Sequence, residues 1–444
     1  MKKKKSNEKI PGPKARAFVK EDTHYISPSY TRCYPLVAVR GRGATITDID
    51  GNRFLDFSSG IGVTVTGHCH PEIIAAISRQ SNELIHMSGT DFYYPSQMKL
   101  AKKLNTLVPG NYRKRVFFGN SGAESVEAAL KLSRHHTGRQ LVIGFLGAFH
   151  GRTLGALSLT ASKTVQKKKF SPLVPGVFHV PYAYCYRCPQ GLKYPSCCLA
   201  CVSWIEEELF QHTVPSDEVA AIFVEPILGE GGYVVPPAGF LPALKKICRK
   251  YGILLVADEV QSGCGRTGKF LAIENFNTIP DIVTLAKGIA SGLPLSATVA
   301  SEKIMDWPAG SHASTFGGNP VACEASLATI KLLEENLMEN AKSVGDYMKQ
   351  CLLDMQKSHR LIGDVRGIGL MLGVELVKDR ETKSRAIEER LEILNLCFQK
   401  GLIILGCGAN SIRFLPPLII SRSQADKALS IFNDALSHVE EKGK

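Results

Sequence analysis

The sequence predicts an α/β protein with a large, mostly parallel β-sheet and a second, smaller α/β domain. Short apolar runs alternate with helical patterns through the middle of the chain. These runs are apolar at nearly every position, which is typical of parallel strands that helices cover on both faces. The chain is 444 residues long, and a single hydrophobic core rarely grows beyond about 250–300 residues. We therefore expect two domains.

The predicted elements begin with a hairpin over residues 44–57 that turns at Asp50-Gly51, a favourable pair for a tight turn. Alternating strands and helices follow, at residues 116–118, 123–136, 141–145, 220–225, 240–250, 253–257, 281–286 and 295–300. Beyond Asn319 the pattern predicts helices over 323–336 and 337–356, strands near 370–376 and 402–405, and a last helix over 423–438. The middle of the chain should therefore form the doubly wound domain.

The first residues combine a lysine run with Ile-Pro-Gly-Pro and predict a disordered basic tail over residues 1–20. The rest is divided into a first segment of the small domain, a large domain and a C-terminal part of the small domain, at 21–75, 76–330 and 331–444. No apolar segment approaches the roughly 20 residues of a membrane-spanning helix. None follows the lysines as it would in a signal peptide. These features predict a soluble, cytoplasmic protein.

The net charge of +13 raises the question of nucleic-acid binding. Outside Lys2–Lys5 and Lys167–Lys169, however, the basic residues are interspersed with acidic ones and form no stripe. We therefore expect neither nucleic acid nor a membrane as a partner. A mildly positive surface can still attract anionic substrates.

Thirteen cysteines without a secretory signal favour a reducing compartment over a disulfide framework. Cys185 and Cys188 form a Cys-x-x-Cys pair, and Cys198 and Cys201, with Cys197 beside them, complete a set that a structural zinc ion would accept. The alternatives are cysteines packed as small apolar side chains or joined in disulfides. Because the cluster contains no histidine or acid, we expect a structural role in each case.

Polar residues follow the predicted strands at four places, and ligands of open parallel sheets bind at such strand ends. Each place taken alone has an ordinary explanation, such as a helix cap or a surface lysine. A buried carboxylate is costly unless a partner compensates it, so Asp258 at the end of a strand predicts such a partner, with a helix-capping aspartate as the alternative. The four places are Ser121-Gly122-Ala123, Phe149-His150 with Arg152, Asp258 with Val260 and Gln261, and Lys287.

From about Ala44 to the last helix, the order of these motifs resembles the class III (omega) aminotransferases of the fold type I pyridoxal-phosphate family. The resemblance is closest to the archaeal-type 4-aminobutyrate, acetylornithine and ornithine aminotransferases. It implies a large domain with the central sheet, a smaller domain built from both chain ends, and pyridoxal 5'-phosphate as cofactor. The matching segments are Gly67-His-Cys-His-Pro71, Asn-Ser-Gly-Ala-Glu, Phe-His-Gly-Arg-Thr, Glu-Pro-x-x-Gly-Glu-Gly-Gly, Asp-Glu-Val-Gln-Ser-Gly with Gly265-Arg-Thr-Gly268, Ala-Lys-Gly and Thr315-Phe-Gly-Gly-Asn-Pro320.

Carried over residue by residue, the resemblance assigns the covalent link to the cofactor and the proton transfer to Lys287. It assigns the contact with the protonated ring nitrogen to Asp258. A threonine equivalent to Thr315 reaches the phosphate from the neighbouring subunit in the family, which implies a homodimer with a shared active site. The other implied cofactor contacts are Gln261 at the phenolic oxygen, Phe149 and Val260 on the two ring faces, Ser121, Gly122 and Ala123 at the phosphate, and His150 and Glu225.

The resemblance also implies a substrate site built on arginines, because a guanidinium binds a carboxylate through two parallel hydrogen bonds. Arg413 matches the arginine for the α-carboxylate, and Arg152 matches the residue for the far carboxylate. Glu230 matches the acid that covers this α-carboxylate arginine when an ω-amine is presented, and Ile61 is expected to contribute to substrate choice. An ordinary structural ion pair is the alternative for Glu230 and Arg413.

The implied reaction moves an amino group from 4-aminobutyrate, ornithine or N-acetylornithine to 2-oxoglutarate. The alternative is an amino acid racemase on the same scaffold, which needs a proton donor on each face of a planar intermediate. We associate that branch with an aspartate where this chain has Glu230, so the glutamate favours transamination, although either carboxylate could reach the second face. A non-catalytic scaffold is disfavoured because Lys287, Asp258, Gln261 and Arg413 are all retained.

Overall fold

A computed structural model describes residues 10–442 of the chain. None of the helices in this range combines the length and the apolar composition that a bilayer crossing requires. The helices are α1 (Pro13–Tyr25), α2 (Ser59–Gly62), α3 (Pro71–Glu83), α4 (Pro95–Leu107), α5 (Gly122–Thr137), α6 (Leu154–Leu159), α7 (Ala200–Trp204), α8 (Phe210–His212), α9 (Phe240–Tyr251), α10 (Pro320–Leu332), α11 (Met338–Ser358), α12 (Ile387–Gln399) and α13 (Arg422–Lys442). The strands are β1 (Ala38–Arg42), β2 (Thr45–Asp48), β3 (Arg53–Asp56), β4 (Lys114–Gly119), β5 (Leu141–Phe145), β6 (Val177–Val180), β7 (Val219–Val224), β8 (Leu254–Asp258), β9 (Ile282–Leu285), β10 (Ser296–Ser301), β11 (Ile362–Ile368), β12 (Met371–Leu376), β13 (Leu402–Ile403), β14 (Leu405–Cys407) and β15 (Ser411–Phe414).

The largest sheet has seven strands in the order β4-β10-β9-β8-β7-β5-β6. Its strands run parallel except for β10, which pairs antiparallel with both β4 and β9. Every residue of β7, β8 and β9 is buried, and helices α5 and α9 pack against these strands. The predicted α/β fold with a mostly parallel central sheet is confirmed.

Two four-stranded sheets accompany it, in the orders β1-β2-β3-β13 and β11-β12-β15-β14. Strands β2 and β3 form the predicted hairpin around Asp50-Gly51. Strand β13 joins this hairpin from the C-terminal part of the chain and runs parallel to β3, with Leu402 paired to Leu55. The two chain ends therefore share one sheet, while the domain boundaries near residues 75 and 330 stay predictions.

The prediction of a disordered tail over residues 1–20 is wrong for the part that forms α1, while the lysine run lies outside the described residues. Pro13 occupies the first turn of α1, where its missing N–H costs nothing. The carboxylate of Asp50 accepts hydrogen bonds from the backbone N–H groups of Lys14 (3.0 Å) and Ala15 (2.8 Å). The side chain of Ala15 is fully buried. The cap comes from a turn that is distant in sequence, so a local search for a capping residue could not find it.

The C-terminal part departs from the prediction in two ways. The two predicted long helices are observed as α10 and α11, which a π-helical turn at Leu333–Leu337 joins into one continuous rod. The strands β11, β14 and β15 were not predicted, and neither were β1 and β6 earlier in the chain. Most of them are four residues or shorter, which is too short for a clear periodic pattern. The omission matters because β15 carries Arg413.

We expect Asp50→Ala to loosen α1, because two N–H groups of its first turn lose their acceptor. A lost N-terminal cap costs about 1 kcal/mol, so amide exchange over residues 13–25 should become roughly five-fold faster. Hydrogen–deuterium exchange with mass spectrometry measures this directly. Asp50→Asn, which keeps one side-chain oxygen, is the control. Its exchange rate should lie between those of the wild type and Asp50→Ala. Unchanged exchange in Asp50→Ala would contradict the capping role.

Candidate active site

The carboxyl ends of the parallel strands bring the predicted polar residues together around Asp258, the last residue of β8. His150, which follows β5, contacts its Oδ2 through Nδ1 at 2.6 Å. The Oδ1 atom accepts bonds from the backbone N–H of Val260 (3.0 Å) and from the hydroxyl of Thr284 (3.2 Å) on β9. Both Asp258 and His150 are buried. The partner that a buried carboxylate requires is therefore an imidazole, supported by two further donors.

The buried imidazole has an unusual electrostatic state. Burial opposes protonation of His150, but the hydrogen bond and the charge of Asp258 outweigh it and raise the pKa of His150 above its ordinary value. The Nε2 atom of the same ring is buried without a partner among the described residues. His150 thus contacts Asp258 directly and stabilises its negative charge.

Lys287 follows β9 and lies within the same cluster of charges. Burial lowers the pKa of its amine to about 8, and the nearby charge of Arg413 acts in the same direction. Its backbone has a positive φ of 47°, a left-handed conformation that is strained for a residue with a side chain. Among residues 10–442 its amine has no hydrogen-bond or ion-pair partner. The result is an amine that is readily deprotonated and free to react.

Glu225 ties together two loops of this site. Its carboxylate accepts hydrogen bonds from the backbone N–H groups of Phe149 (3.1 Å) and Gly229 (3.2 Å). Burial raises the pKa of Glu225 to about 7. The loop after β5 and the loop after β7 are thereby held to one side chain. Glu225 also lies near the charges of His150 and Asp258. Its predicted contact with the cofactor stays a prediction.

Gln261 has a partner that the sequence analysis missed. The hydroxyl of Tyr233 donates to Gln261 Oε1 at 2.7 Å. This contact fixes the amide so that its nitrogen remains available as a donor. Tyr233 has a positive φ of 54°, and the guanidinium carbon of Arg413 lies 5.9 Å from its ring centre. In the sequence, the one indication that Tyr233 belongs to the site was its position directly after Glu230-Gly-Gly.

The predicted phosphate turn lies at the start of α5. Ser121 caps this helix, with its hydroxyl accepting from the backbone N–H of Glu124 at 3.3 Å. The backbone N–H groups of Gly122 and Ala123 have no acceptor among the described residues. A Cβ on Gly122 would lie 2.8 Å from Val260 Cγ1, so only glycine allows this close approach to the Asp258 loop. The helix end provides free N–H donors and a positive dipole for an anion.

The substrate arginines occupy different environments. Arg413 on β15 is buried, and its Nη1 donates to Glu230 Oε2 at 3.2 Å. Lys163, which the sequence analysis did not single out, donates to the other carboxylate oxygen, Glu230 Oε1, at 2.6 Å. Burial alone would raise the pKa of Glu230, but the charges of Arg413 and Lys163 hold it below its ordinary value. Glu230 therefore lies as a carboxylate between two cations.

Three other predicted site residues are exposed in the single chain. The guanidinium carbon of Arg152 lies 5.5 Å from the ring centre of Phe149. Ile61 belongs to the irregular turn α2 and has a positive φ of 68°. Thr315 is exposed, while its neighbour Ser314 accepts a hydrogen bond from Asn120 Nδ2 at 3.1 Å. These positions leave their predicted contacts with ligand or partner untested.

The structure corrects the proposed cysteine set. Within residues 10–442 no group of three or more His, Cys, Asp or Glu side chains is arranged to hold a metal ion. Cys198 is exposed on a left-handed turn, and its thiol contacts the Ser196 carbonyl instead. A small cavity of about 20 Å³ is lined by Cys185, Cys188, Cys197 and Cys201. These four are free thiols, and burial raises the pKa of the Cys201 thiol to about 11.

The family model of class-III aminotransferases matches residues 25–436. This chain belongs to that family. The class-III aminotransferases are pyridoxal-phosphate enzymes, so the chain is an enzyme with the fold type I architecture that the sequence predicted.

Individual relatives divide between two activities. An isoleucine 2-epimerase of Lentilactobacillus buchneri is 39% identical, over 95% of this chain and 94% of its own length. A 4-aminobutyrate aminotransferase of Mycobacterium bovis is 40% identical, over 95% of both chains. An amine transaminase from an uncultivated Pseudomonas species, solved with pyridoxal phosphate bound, is 32% identical and superposes with a TM-score of 0.86, over 94% of this chain and 98% of its own.

We expect the amine of Lys287 to titrate near pH 8 in the enzyme stripped of its cofactor. Because only the neutral amine is nucleophilic, its reactivity should fall as the pH drops through about 8. Competitive acylation with trace acetic anhydride, followed by peptide mass spectrometry, gives the midpoint for this residue. A midpoint near the ordinary lysine value of 10.5 would show that the amine is not desolvated.

Proposed function

We propose that this enzyme is a pyridoxal-phosphate-dependent aminotransferase that transfers an amino group from an ω-amino compound to 2-oxoglutarate. The donor would be 4-aminobutyrate, ornithine or N-acetylornithine. The observation that carries the proposal is the ion pair between Glu230 and the buried Arg413 beside Lys287. A site that must accept an ω-amine in one half-reaction and a 2-oxo acid in the other needs an arginine whose charge can be covered and uncovered.

The residues present fit the cofactor. Lys287 offers an unpartnered amine with a depressed pKa, which suits a covalent bond to the aldehyde. Asp258, held by His150, offers a buried carboxylate to a protonated ring nitrogen. The free N–H groups at the start of α5 suit the phosphate. When bound, pyridoxal phosphate supplies the electron sink for the substrate carbon and carries the amino group between the half-reactions.

The chain's own residues would then perform distinct tasks. Lys287 would hold the cofactor through its amine and would move a proton between the substrate carbon and the cofactor carbon. Gln261, oriented by Tyr233, would donate its amide N–H to the phenolic oxygen. Phe149 and Val260 would cover the two faces of the ring and keep it in position. Glu225 would support this geometry by holding the loops that carry Phe149 and Glu230.

Substrate exchange would depend on which group faces Arg413. With an ω-amine at the reacting end, the ion pair with Glu230 would stay closed and neutral. With 2-oxoglutarate, the α-carboxylate would replace Glu230 on Arg413, because a guanidinium binds a carboxylate strongly in a fork geometry. Arg152 would hold the far carboxylate in both cases. One site could thus serve two classes of substrate.

Racemisation is a second candidate, and the relatives named for epimerase activity are the observation that favours it. A racemase must protonate either face of the substrate carbon, which requires a second acid besides Lys287. Glu230 is the available carboxyl group, but the adjacent cations hold its pKa low. A group that stays ionised is a poor proton donor at neutral pH. This electrostatic setting supports transamination.

We also propose a homodimer with a shared active site. Several large apolar side chains between residues 85 and 98, and Phe316, are exposed, which is unusual for a monomer surface. They flank a cavity of about 790 Å³ whose lining includes Tyr93, Met98, Phe117 and Gly317. Phe316, next to Thr315, is 63% exposed. A second copy covering this surface could bring Thr315 to the phosphate of its partner. The exposed apolar side chains are Ile85, Phe92, Tyr93, Met98 and Phe316.

The purified holoenzyme should form one glutamate for each 2-oxoglutarate consumed with at least one of the three proposed donors. Lys287→Ala should lower turnover by at least about 100-fold, because proton transfer by a positioned group contributes 10²–10⁴-fold. Coupled glutamate detection measures the reaction, and borohydride reduction followed by mass spectrometry tests for a cofactor adduct at Lys287.

The control is a chiral assay of single amino acids without a 2-oxo acid. Inversion of an amino acid in that assay, with no glutamate formed from any donor, would establish racemisation and overturn the proposed transamination. Absence of an adduct at Lys287 would remove the basis for both candidate activities.

A further inference from the structure

The carboxylate of Glu230 is shared between two cations that come from different parts of the chain. Lys163 lies in the loop after α6, and Arg413 lies on β15. Lys163 Nζ is 2.6 Å from Oε1, while Arg413 Nη1 is 3.2 Å from Oε2. The backbone of Glu230 is fixed separately, since its carbonyl accepts from the N–H of Gly408 at 2.7 Å. The side chain can therefore turn about a fixed backbone position.

The two cations differ in their freedom to move. The Arg413 side chain is 7% exposed, whereas the Lys163 side chain is 44% exposed. Arg413 is confined beside the ring of Tyr233, while Lys163 is at the edge of the site with a flexible stem. If a substrate carboxylate takes Arg413, two carboxylates compete for one guanidinium. Lys163 is the group that can keep Glu230 compensated as it leaves.

We propose that Lys163 is a specificity-determining positioning residue that holds the displaced Glu230 carboxylate whenever a ligand carboxylate binds Arg413. This inference rests on the proposed function, since it concerns the same covered and uncovered states of Arg413. Without Lys163, displacement of Glu230 would leave its charge unpaired near the bound ligand. This unpaired charge would weaken the binding of α-carboxylate ligands. It would not affect ω-amines, because Glu230 stays paired with Arg413 when they bind.

The inference predicts a split between substrate classes. In Lys163→Met the KM for 2-oxoglutarate should rise roughly five-fold or more relative to the KM for the ω-amino donor, because a lost ion-pair partner of partial exposure changes binding by about this factor. Lys163→Arg keeps the charge and should restore the ratio. Lys168→Met is the matched control, because Lys168 is an exposed lysine of the same segment whose side chain makes no ion pair among the described residues.

A binding measurement separates this role from catalysis and from direct contact with the ligand. Glutarate, an unreactive dicarboxylate, can be titrated calorimetrically into holoenzyme of the wild type, Lys163→Met, Glu230→Gln and the double variant. We expect Lys163→Met to weaken glutarate binding roughly five-fold in the wild-type background. It should have no effect in the Glu230→Gln background, because no carboxylate then needs to be held. Melting temperatures equal to that of the wild type verify that the variants are folded.

Two results would overturn the inference. Wild-type affinity for glutarate in Lys163→Met would show that Lys163 does not hold the displaced carboxylate. Equal weakening with and without Glu230 would show that Lys163 binds the ligand itself. If glutarate binding follows the expected pattern but no donor yields glutamate, the proposed reaction has failed while the role of Lys163 stands.

Discussion

The buried carboxylate of Asp258 is the constraint on which the arrangement of the site depends. It lies at the end of a strand that is buried at every residue, where an unpaired charge would be costly. Its partners come from three strands of the same sheet: His150 after β5, Val260 after β8 itself, and Thr284 on β9. Satisfying one charge therefore fixes the relative positions of several loops at the carboxyl edge of the sheet.

Glu225 also stabilises the loops at the carboxyl edge of the central sheet. Among residues 10–442 this side chain accepts hydrogen bonds only from backbone N–H groups, so it holds loops in place without occupying the functional groups of other side chains. Glu225 is 5% exposed, and this burial raises its pKa to about 7. A dry layer strengthens each remaining charge interaction, including the one that depresses the pKa of Lys287. The reactivity of the lysine is thus a consequence of how the strand ends are packed.

The sequence revealed those parts of the fold and site whose cause is local. Asp258 and Lys287 were predicted because each is a polar residue directly after a buried apolar run, and the central sheet followed from the same runs. Helix α1 was missed because its cap, Asp50, is contributed by a distant hairpin turn. Cys198 was chosen over Cys197 from spacing alone, since the left-handed turn that directs Cys198 outward has no signature in the sequence.

The second layer of the site was harder to predict for the same reason. Tyr233 orients Gln261 through a contact that depends on its strained backbone conformation. Thr284 is a polar residue inside an apolar run, which was a signal, but its role became visible only when β9 lay beside β8. Lys163 is a loop lysine among many others, and only the fold brings it to Glu230.

The position of Glu230 between two cations also bears on how one scaffold supports two kinds of chemistry. A carboxyl group acts as an acid only if its surroundings allow it to hold a proton near neutral pH. In this chain the surroundings do the opposite, because Arg413 and Lys163 together outweigh the effect of burial on its pKa. In the proposed transaminase, the cations around Glu230 are therefore expected to matter for its role as much as the identity of the side chain. A change at Lys163 or Arg413 would alter the acidity of Glu230 without altering Glu230 itself.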